Sequence, residues 1–297
     1  MTQHAQPLKA AAWMMGAVIG FSSLAVAGRQ LAKGLDTFEI MTFRSVVGVI
    51  VVLGVALLSG RLSHIRAKAL HLHFGRNMFH FAGQNLWLFA LTLVPLAQLF
   101  ALEFSYPILV AIGAILFLGE KVSRVRALSF AIGFAGILIV ARPFGAGGLS
   151  IGLISAIACA FGFAGSALFT KKLTQTSNVT LLSILFWLSF MQMFMGLICA
   201  GFDGDMIIPT LQQWPWICVL SLAGLGAHLC LTQALSLAPA SVVTPIDFLR
   251  LPLIAIVGML FYGEELDLYV LIGALVIFSA NYLNIMSESR KNRARHS

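Results

Sequence analysis

The sequence predicts an all-α polytopic membrane protein of about ten transmembrane helices, arranged as two inverted five-helix repeats. Three observations lead there. The first is composition: 59% of the 297 residues are hydrophobic and 10% are charged, against roughly a quarter charged in soluble domains. The second is length. Unbroken apolar runs of about 20 residues, each able to cross a hydrocarbon core roughly 30 Å thick, follow one another with short breaks. Such runs exclude an alternating-strand barrel. The third is a repeat. Ala90 to Glu120, ALTLVPLAQLFALEFSYPILVAIGAILFLGE, returns at Ala234 to Glu264 as ALSLAPASVVTPIDFLRLPLIAIVGMLFYGE, with 12 of 31 positions identical and no gap. Pro95 meets Pro239, Phe104 meets Phe248, Gly119-Glu120 meets Gly263-Glu264, and Glu103 meets Asp247. Self-similarity on this scale means two related halves, residues 1–145 and 146–290, followed by a basic tail at 291–297.

The apolar pattern places spans at about residues 11–28, 37–59, 73–93, 97–118, 125–142, 150–170, 179–201, 213–235, 241–262 and 267–286. The first run follows a single lysine, Lys9, and no small-residue cleavage site comes after it, which marks a retained helix rather than a signal peptide. Gly16 and Gly20, with Gly113, Gly133, Gly136, Gly258 and Gly273, suit close helix packing. Connections are short: Gly60 to Leu72 is the longest, and Leu93 to Leu96 and Leu237 to Ala240 are tight turns around Pro95 and Pro239, leaving no room for a soluble domain. Pro107 and Pro252 each fall within two turns after an acidic residue, where a missing backbone donor kinks a helix. Such a bend would suit a cavity wall, and a fixed packing kink would read the same way.

Counted on alternate sides, Lys and Arg number 14 on the side of the termini (Lys9; Arg61, Arg66, Lys68, Arg76; Lys121, Arg124, Arg126; Lys171, Lys172; Arg290, Lys291, Arg293, Arg295) and 3 on the other (Arg29, Lys33, Arg142). That bias makes both termini cytoplasmic, and five spans per half, an odd number, turn the second repeat upside down relative to the first. The net charge of +8 therefore sets topology and does not point to nucleic acid. Cys159, Cys199, Cys218 and Cys230 lie in or beside apolar runs without CxxC or His-paired spacing, so they read as small buried hydrophobes. Trp13, Trp214 and Trp216 fall at span ends as interface anchors, whereas Trp87 and Trp187 could stack on a planar ligand.

Ionisable groups inside spans carry the functional information, because a charge at the bilayer centre costs about 2.5 kcal/mol or more and therefore faces a wet cavity or a partner. Four stand out: Arg44, Glu103, Asp247 and Arg250. Asp247 and Arg250 stand one turn apart on a helix face, and Glu103 and Tyr106 occupy the equivalent positions of the first half. Two readings stay open: mutual neutralisation within the bundle, or a cavity binding polar substrate groups or a coupling proton. Arg76, His80, Gln84 and Trp87 share one stripe of the third span, flanked by Asn85, and His228 falls where Gln84 stands in the repeat. A membrane histidine or glutamine such as His80, His228, Gln98, Gln192 or Gln233 can equally be a donor bridging two helices. No P-loop, dinucleotide fingerprint, metal-ligand spacing or Ser-His-Asp arrangement is present, so neither an ATP-driven pump nor a metal or organic cofactor is expected.

The repeated segment resembles the EamA-type half of the drug/metabolite transporter superfamily. The resemblance is carried by Ala90-Leu91, Ala97, Pro107 and Phe117-Leu118-Gly119-Glu120, then the basic Lys121 to Arg126 and Gly133/Gly136. Arg44 in FEIMTFR matches an arginine often present on the second helix of that family, and the segments Gly75 to Phe81 and Pro245 to Pro252 look like the branch of S-adenosylmethionine and riboflavin carriers. What this implies is a multi-pass carrier of the bacterial inner membrane, monomeric or homodimeric, moving a small organic metabolite through a central cavity by proton coupling or exchange. The candidate binding or coupling residues are Arg44, His80, Gln84, Trp87, Glu103, Tyr106, His228, Asp247 and Arg250, with Pro107 and Pro252 as kinks. The competing class is a membrane-embedded enzyme or lipid-handling protein using the same buried carboxylates.

Overall fold

Several helices open on a side-chain cap, and two of the spans break just before a proline. In the computed structural model, which describes residues 6–118, 123–142, 148–174, 176, 179–202, 204, 206–238 and 240–296, the chain forms twelve helices. They are α1 Pro7–Leu31, α2 Thr37–Leu58, α3 Leu70–Leu93, α4 Leu96–Glu103, α5 Tyr106–Leu118, α6 Arg124–Ala141, α7 Ile151–Thr174, α8 Leu181–Ala200, α9 Trp214–Leu237, α10 Ala240–Asp247, α11 Arg250–Tyr262 and α12 Leu268–His296, with a short 3-10 turn at Leu62–His64. Expected features at Gly119-Glu120, Lys121 and Pro239 lie outside the described residues, as do the side chains of the basic tail.

The repeat is legible in the element boundaries themselves. α3, α4 and α5 correspond residue for residue to α9, α10 and α11 at an offset of 144. Caps repeat too. Asp36 accepts from the Phe38 and Glu39 amides at the start of α2, and its counterpart Thr180 accepts from the Ser183 amide at the start of α8. Ser123 caps α6 by accepting from the Arg126 amide, and its counterpart Asp267 accepts from the Tyr269 amide (2.8 Å) at the start of α12. Each such bond satisfies a backbone donor that the first turn of a helix leaves without an intrahelical partner.

Packing obeys the same two-fold relation. α3 lies on α7 and α1 on α9, which are equivalent contacts, while α6 lies on α12 and α2 on α8, each an element against its own counterpart. Close approach at the α3–α7 crossing depends on Gly83 and Gly162, because a Cβ on Gly162 would run into the Gly83 backbone. The outer face is apolar: Phe134, Phe161 and Leu275 are more than half exposed, as suits a surface solvated by lipid.

Spans four and nine, expected to be continuous, are each two helices. The α4–α5 break falls at Phe104-Ser105 and the α10–α11 break at Phe248-Leu249. Pro107 cannot donate to the carbonyl of Glu103, and Pro252 cannot donate to that of Phe248, which ends the ladder at these points. The Phe104 carbonyl is satisfied instead by the Asn281 amide of α12 (2.8 Å), and Ser105 Oγ donates to Leu102 O (2.7 Å). By length and hydropathy nine helical stretches, counting α4–α5 and α10–α11 as one each, qualify as membrane spans among the described residues. α3, as long as the others, is the tenth helix and falls short only because it carries Arg76, Asn77, His80, Gln84 and Asn85, all buried.

Two details bear on the expectations. Arg76, counted with the charges on the side of the termini and also placed on the stripe of the third span, lies on the buried face of α3, so the topology bias rests on one exposed charge fewer. Cys218 is exposed on the outer face rather than buried; all four cysteines are free.

Candidate substrate cavity

The two helix breaks leave Glu103 and Asp247 at the ends of α4 and α10, both within ion-pair distance of one arginine. Between them lies Arg250, the first residue of α11. Its Nη1 is 3.2 Å from Glu103 Oε1 and its Nε is 3.6 Å from Asp247 Oδ1. The second separation is an ion pair without a hydrogen bond, so Asp247 Oδ1 and Arg250 Nε keep open valences. Trp87 Nε1 donates to the other Glu103 oxygen, Oε2, at 2.8 Å. The guanidinium also sits over the rings of Phe21, Phe100 and Phe104, 4.6–5.1 Å from their centroids, so the cation gains quadrupole stabilisation on faces where no carboxylate reaches it. Phe104 stacks on its counterpart Phe248 at 4.2 Å. Here the repeat is broken chemically: the position of Arg250 in the second half is Tyr106 in the first. One cation therefore serves two carboxylates.

The cavity above this triad has a volume of about 380 Å³, within the range of small-molecule sites. His80, Gln84, Trp87, Glu103, Tyr106, His228, Asp247 and Arg250 all line it. The structure thus gathers eight of the nine expected site residues on one wall system built from α3, α4, α5, α9, α10 and α11. Arg44 is the exception. It lines a neighbouring void of about 10 Å³, shared with His228, Gln192 and Ser221, which is room for about one water. Two residues complete the picture. Arg76, seen first as a topology charge, lines the main cavity and is held there by Thr170 Oγ1 (2.9 Å) and Asn77 Oδ1 (3.0 Å). Gln192 lies 2.8 Å from His80 Nδ1; donation from its amide leaves His80 Nε2 as the protonated nitrogen. Arg76 belongs to the polar stripe of α3 that the sequence had already singled out, and Gln192 faces that stripe from α8.

Other expected residues go elsewhere. Trp187 donates to the Arg66 carbonyl (3.0 Å) and packs on Phe186 and Phe190. Gln98 donates to Val140 O (3.2 Å), a bridge between helices.

The cavity is closed on one side. Lining residues run from Trp87 and Glu103 toward Arg76, Thr170 and Leu235, near the helix ends on the side of the termini. On the opposite side α4 packs against α11, whereas their counterparts α10 and α5 have little contact among the described residues. Arg29, at the end of α1, pairs there with Glu264 and donates to Val94 O (3.2 Å). The second Glu264 oxygen accepts from the Leu96 amide (2.9 Å), the first donor of α4. Gly263, at φ 64°, turns the chain so that Glu264 folds back over Gly258, where a Cβ would collide with the carboxylate. A second pair, Arg142–Asp267, joins α6 to α12 on the same side. Among the described residues no group of three or more His, Cys, Asp or Glu is arranged to hold a metal ion.

Ten helical spans in two inverted repeats, with a polar cavity where the broken spans meet, define a multi-pass carrier. The chain belongs to the EamA-like transporter family, whose pattern it matches twice, over residues 8–142 and 150–286. It is 31% identical over 222 residues to the riboflavin transporter of Rhizobium johnstonii, covering 74% of this chain and 72% of that one. It is also 24% identical to the S-adenosylmethionine uptake transporter of Rickettsia bellii, covering 94% of each. A solved structure described as "Crystal structure of protein" shares the fold with a TM-score of 0.64 at 17% identity, covering 95% of this chain and 98% of the other. The protein is a membrane transporter for a small metabolite, and the enzyme alternative falls with the family.

Proposed function

We propose that the chain moves a cofactor-like, nucleoside-like or amino-acid-like metabolite, part planar and part polar, across a bacterial inner membrane by alternating access. The observation that carries this is the asymmetry of an otherwise two-fold structure: α4 and α11 close one side while α5 and α10 leave the other open. In inverted-repeat carriers, exchanging the conformations of the two repeats exchanges the open side. The basic bias of the loops supports cytoplasmic termini, and the state described then opens to the cytoplasm. Substrate would lie against Trp87, His80, Gln84 and His228, with the Glu103–Arg250–Asp247 triad at its floor. The open valences on Asp247 and Arg250 give a substrate donor, or a coupling proton, somewhere to bind. Names of relatives point to riboflavin and S-adenosylmethionine as first ligands to try.

The test is uptake into proteoliposomes of riboflavin and of S-adenosylmethionine by the wild type, Asp247→Asn and Arg44→Ala at equal incorporation. Loss in the variants supports the site; full uptake in both removes these residues from the mechanism. A protonophore that abolishes uptake establishes proton coupling, and unchanged uptake establishes exchange or facilitated movement.

A further inference from the structure

The outer face of the bundle carries a second cavity, of about 480 Å³, in a groove where α5 and α7 meet beside α3. Leu109, Ile112 and Leu116 of α5 form one wall, Leu168 and Phe169 of α7 the other, and Phe79 of α3 completes it. The Phe79 ring fits there because position 165 is glycine, where a Cβ would run into it. Leu116, Phe117 and Phe161 at the rim are more than half exposed, so the groove opens sideways, toward lipid. Among the described residues lining it, Lys172 alone is polar. That side chain is exposed near the end of α7, on the side of the termini, and pairs with no carboxylate among the described residues.

Depth and asymmetry point to the occupant. Phe161 and Lys172 stand about 16 Å apart along the axis of α7, and one leaflet of a hydrocarbon core is about 15 Å thick. The groove therefore runs from near the middle of α7 to the headgroup level, with its charge at the headgroup end. A feature required by the two-fold fold would appear twice, and this one does not. At the offset of 144, Lys172 answers to Gly28, Phe169 to Ala25 and Phe79 to Ala223, and Gly28 is buried against Leu88 and Leu91. The repeat builds a cationic groove in one leaflet alone.

We propose that this groove is the seat of an anionic phospholipid, with one acyl chain between α5 and α7 and its phosphate on the Lys172 ammonium. The basic loops make that leaflet the cytoplasmic one, where anionic headgroups attract juxtamembrane lysines. A neutral lipid would fill the groove and leave Lys172 without an anion. The same two helices turn other faces to the substrate cavity, through Tyr106 of α5 and Phe163, Ser166 and Thr170 of α7, so the lipid braces the cavity wall from behind.

The test places the full chain in nanodiscs of phosphatidylcholine and phosphatidylglycerol in equal parts, and counts the lipids still bound by native mass spectrometry. The wild type should retain one phospholipid and favour phosphatidylglycerol about fivefold, the effect of one lysine near an anionic headgroup. Lys172→Gln should abolish that preference while a lipid of either kind stays, and Lys172→Arg should keep it. Leu109→Trp fills the groove at unchanged charge and should remove the retained lipid. Arg61→Gln, exposed on the same side but outside the groove, should behave as the wild type. No retained lipid, or equal retention of the two headgroups by the wild type, overturns the proposal. An effect of Arg61→Gln equal to that of Lys172→Gln also overturns it, because general surface charge then suffices. A lipid-free dimer that Leu109→Trp breaks would assign the groove to a second copy and overturn it too. Melting temperatures in phosphatidylcholine alone check the folding of each variant, and if Leu109→Trp does not fold, the three charge variants decide. None of these readouts involves transport, so the lipid seat and the carrier reading stand or fall separately.

Discussion

Replacing Glu264 by glutamine should unlock the closed side without touching the cavity. The carboxylate makes two contacts there: an ion pair with Arg29 and acceptance of the Leu96 amide at 2.9 Å. Side-chain exposures of 16% and 13% for Arg29 and Glu264 leave the pair only partly screened. A hydrogen bond to a charged group contributes about 1.5–3 kcal/mol, and a negative charge at a helix N-terminus adds about 0.3–1 kcal/mol. Glutamine keeps one neutral acceptor, so the loss should come to about 2 kcal/mol, or roughly 30-fold in an equilibrium. If the state open on that side is populated at about 1%, it should rise to roughly a quarter. Spin labels at Lys33 and Leu266, both exposed on that face, give the readout by electron–electron distance measurement. A second, longer distance should appear in the variant and grow further in Arg29→Ala. Distance distributions that superimpose on the wild type in both variants would refute the assignment of this cluster as the seal.

Other perturbations follow from the same geometry. Arg250→Ala leaves Glu103 and Asp247 buried without a cation and should cost about 3–5 kcal/mol of stability, read as a lower melting temperature in detergent. Glu103→Gln combined with Asp247→Asn should recover part of it. Gly162→Val should push α7 off α3 and cost about 1–3 kcal/mol, whereas Gly60→Ala, at a positive-φ loop position with open space around it, should cost about 1 kcal/mol. Gly258→Ala displaces the Glu264 carboxylate and should reproduce the distance change of Glu264→Gln while keeping the cavity intact. Trp87→Phe deletes the donor to Glu103 Oε2 and should weaken ligand binding more than it lowers stability.

Much of this architecture could be read from residue order, because bilayer physics leaves few choices. Apolar runs of spanning length must be helices, and a gapless repeat containing an odd number of them must be inverted. The carboxylates at equivalent depths, Glu103 and Asp247, and the polar stripe of α3 were visible for the same reason: charge is rare enough in a span that each instance signals a cavity or a partner.

Residue order alone left other matters open, because they depend on which atoms meet across repeats. It counted Arg76 both as a topology charge and as part of the α3 stripe, since hydropathy does not report which face of a helix is wet. It allowed Arg250 to be a ligand for substrate, and only the assembled bundle holds that side chain between two carboxylates and three rings. It gave no partner for Glu264. The contact of Glu264 with Arg29 spans 235 positions of chain and exists only after α1, α4 and α11 converge. Composition and periodicity determined that this is a two-fold helical membrane protein with polar groups inside its spans. The tertiary structure decided which charges cancel, which remain unpaired and which side is closed, because electrostatic pairing depends on distances of a few ångströms that local sequence does not encode.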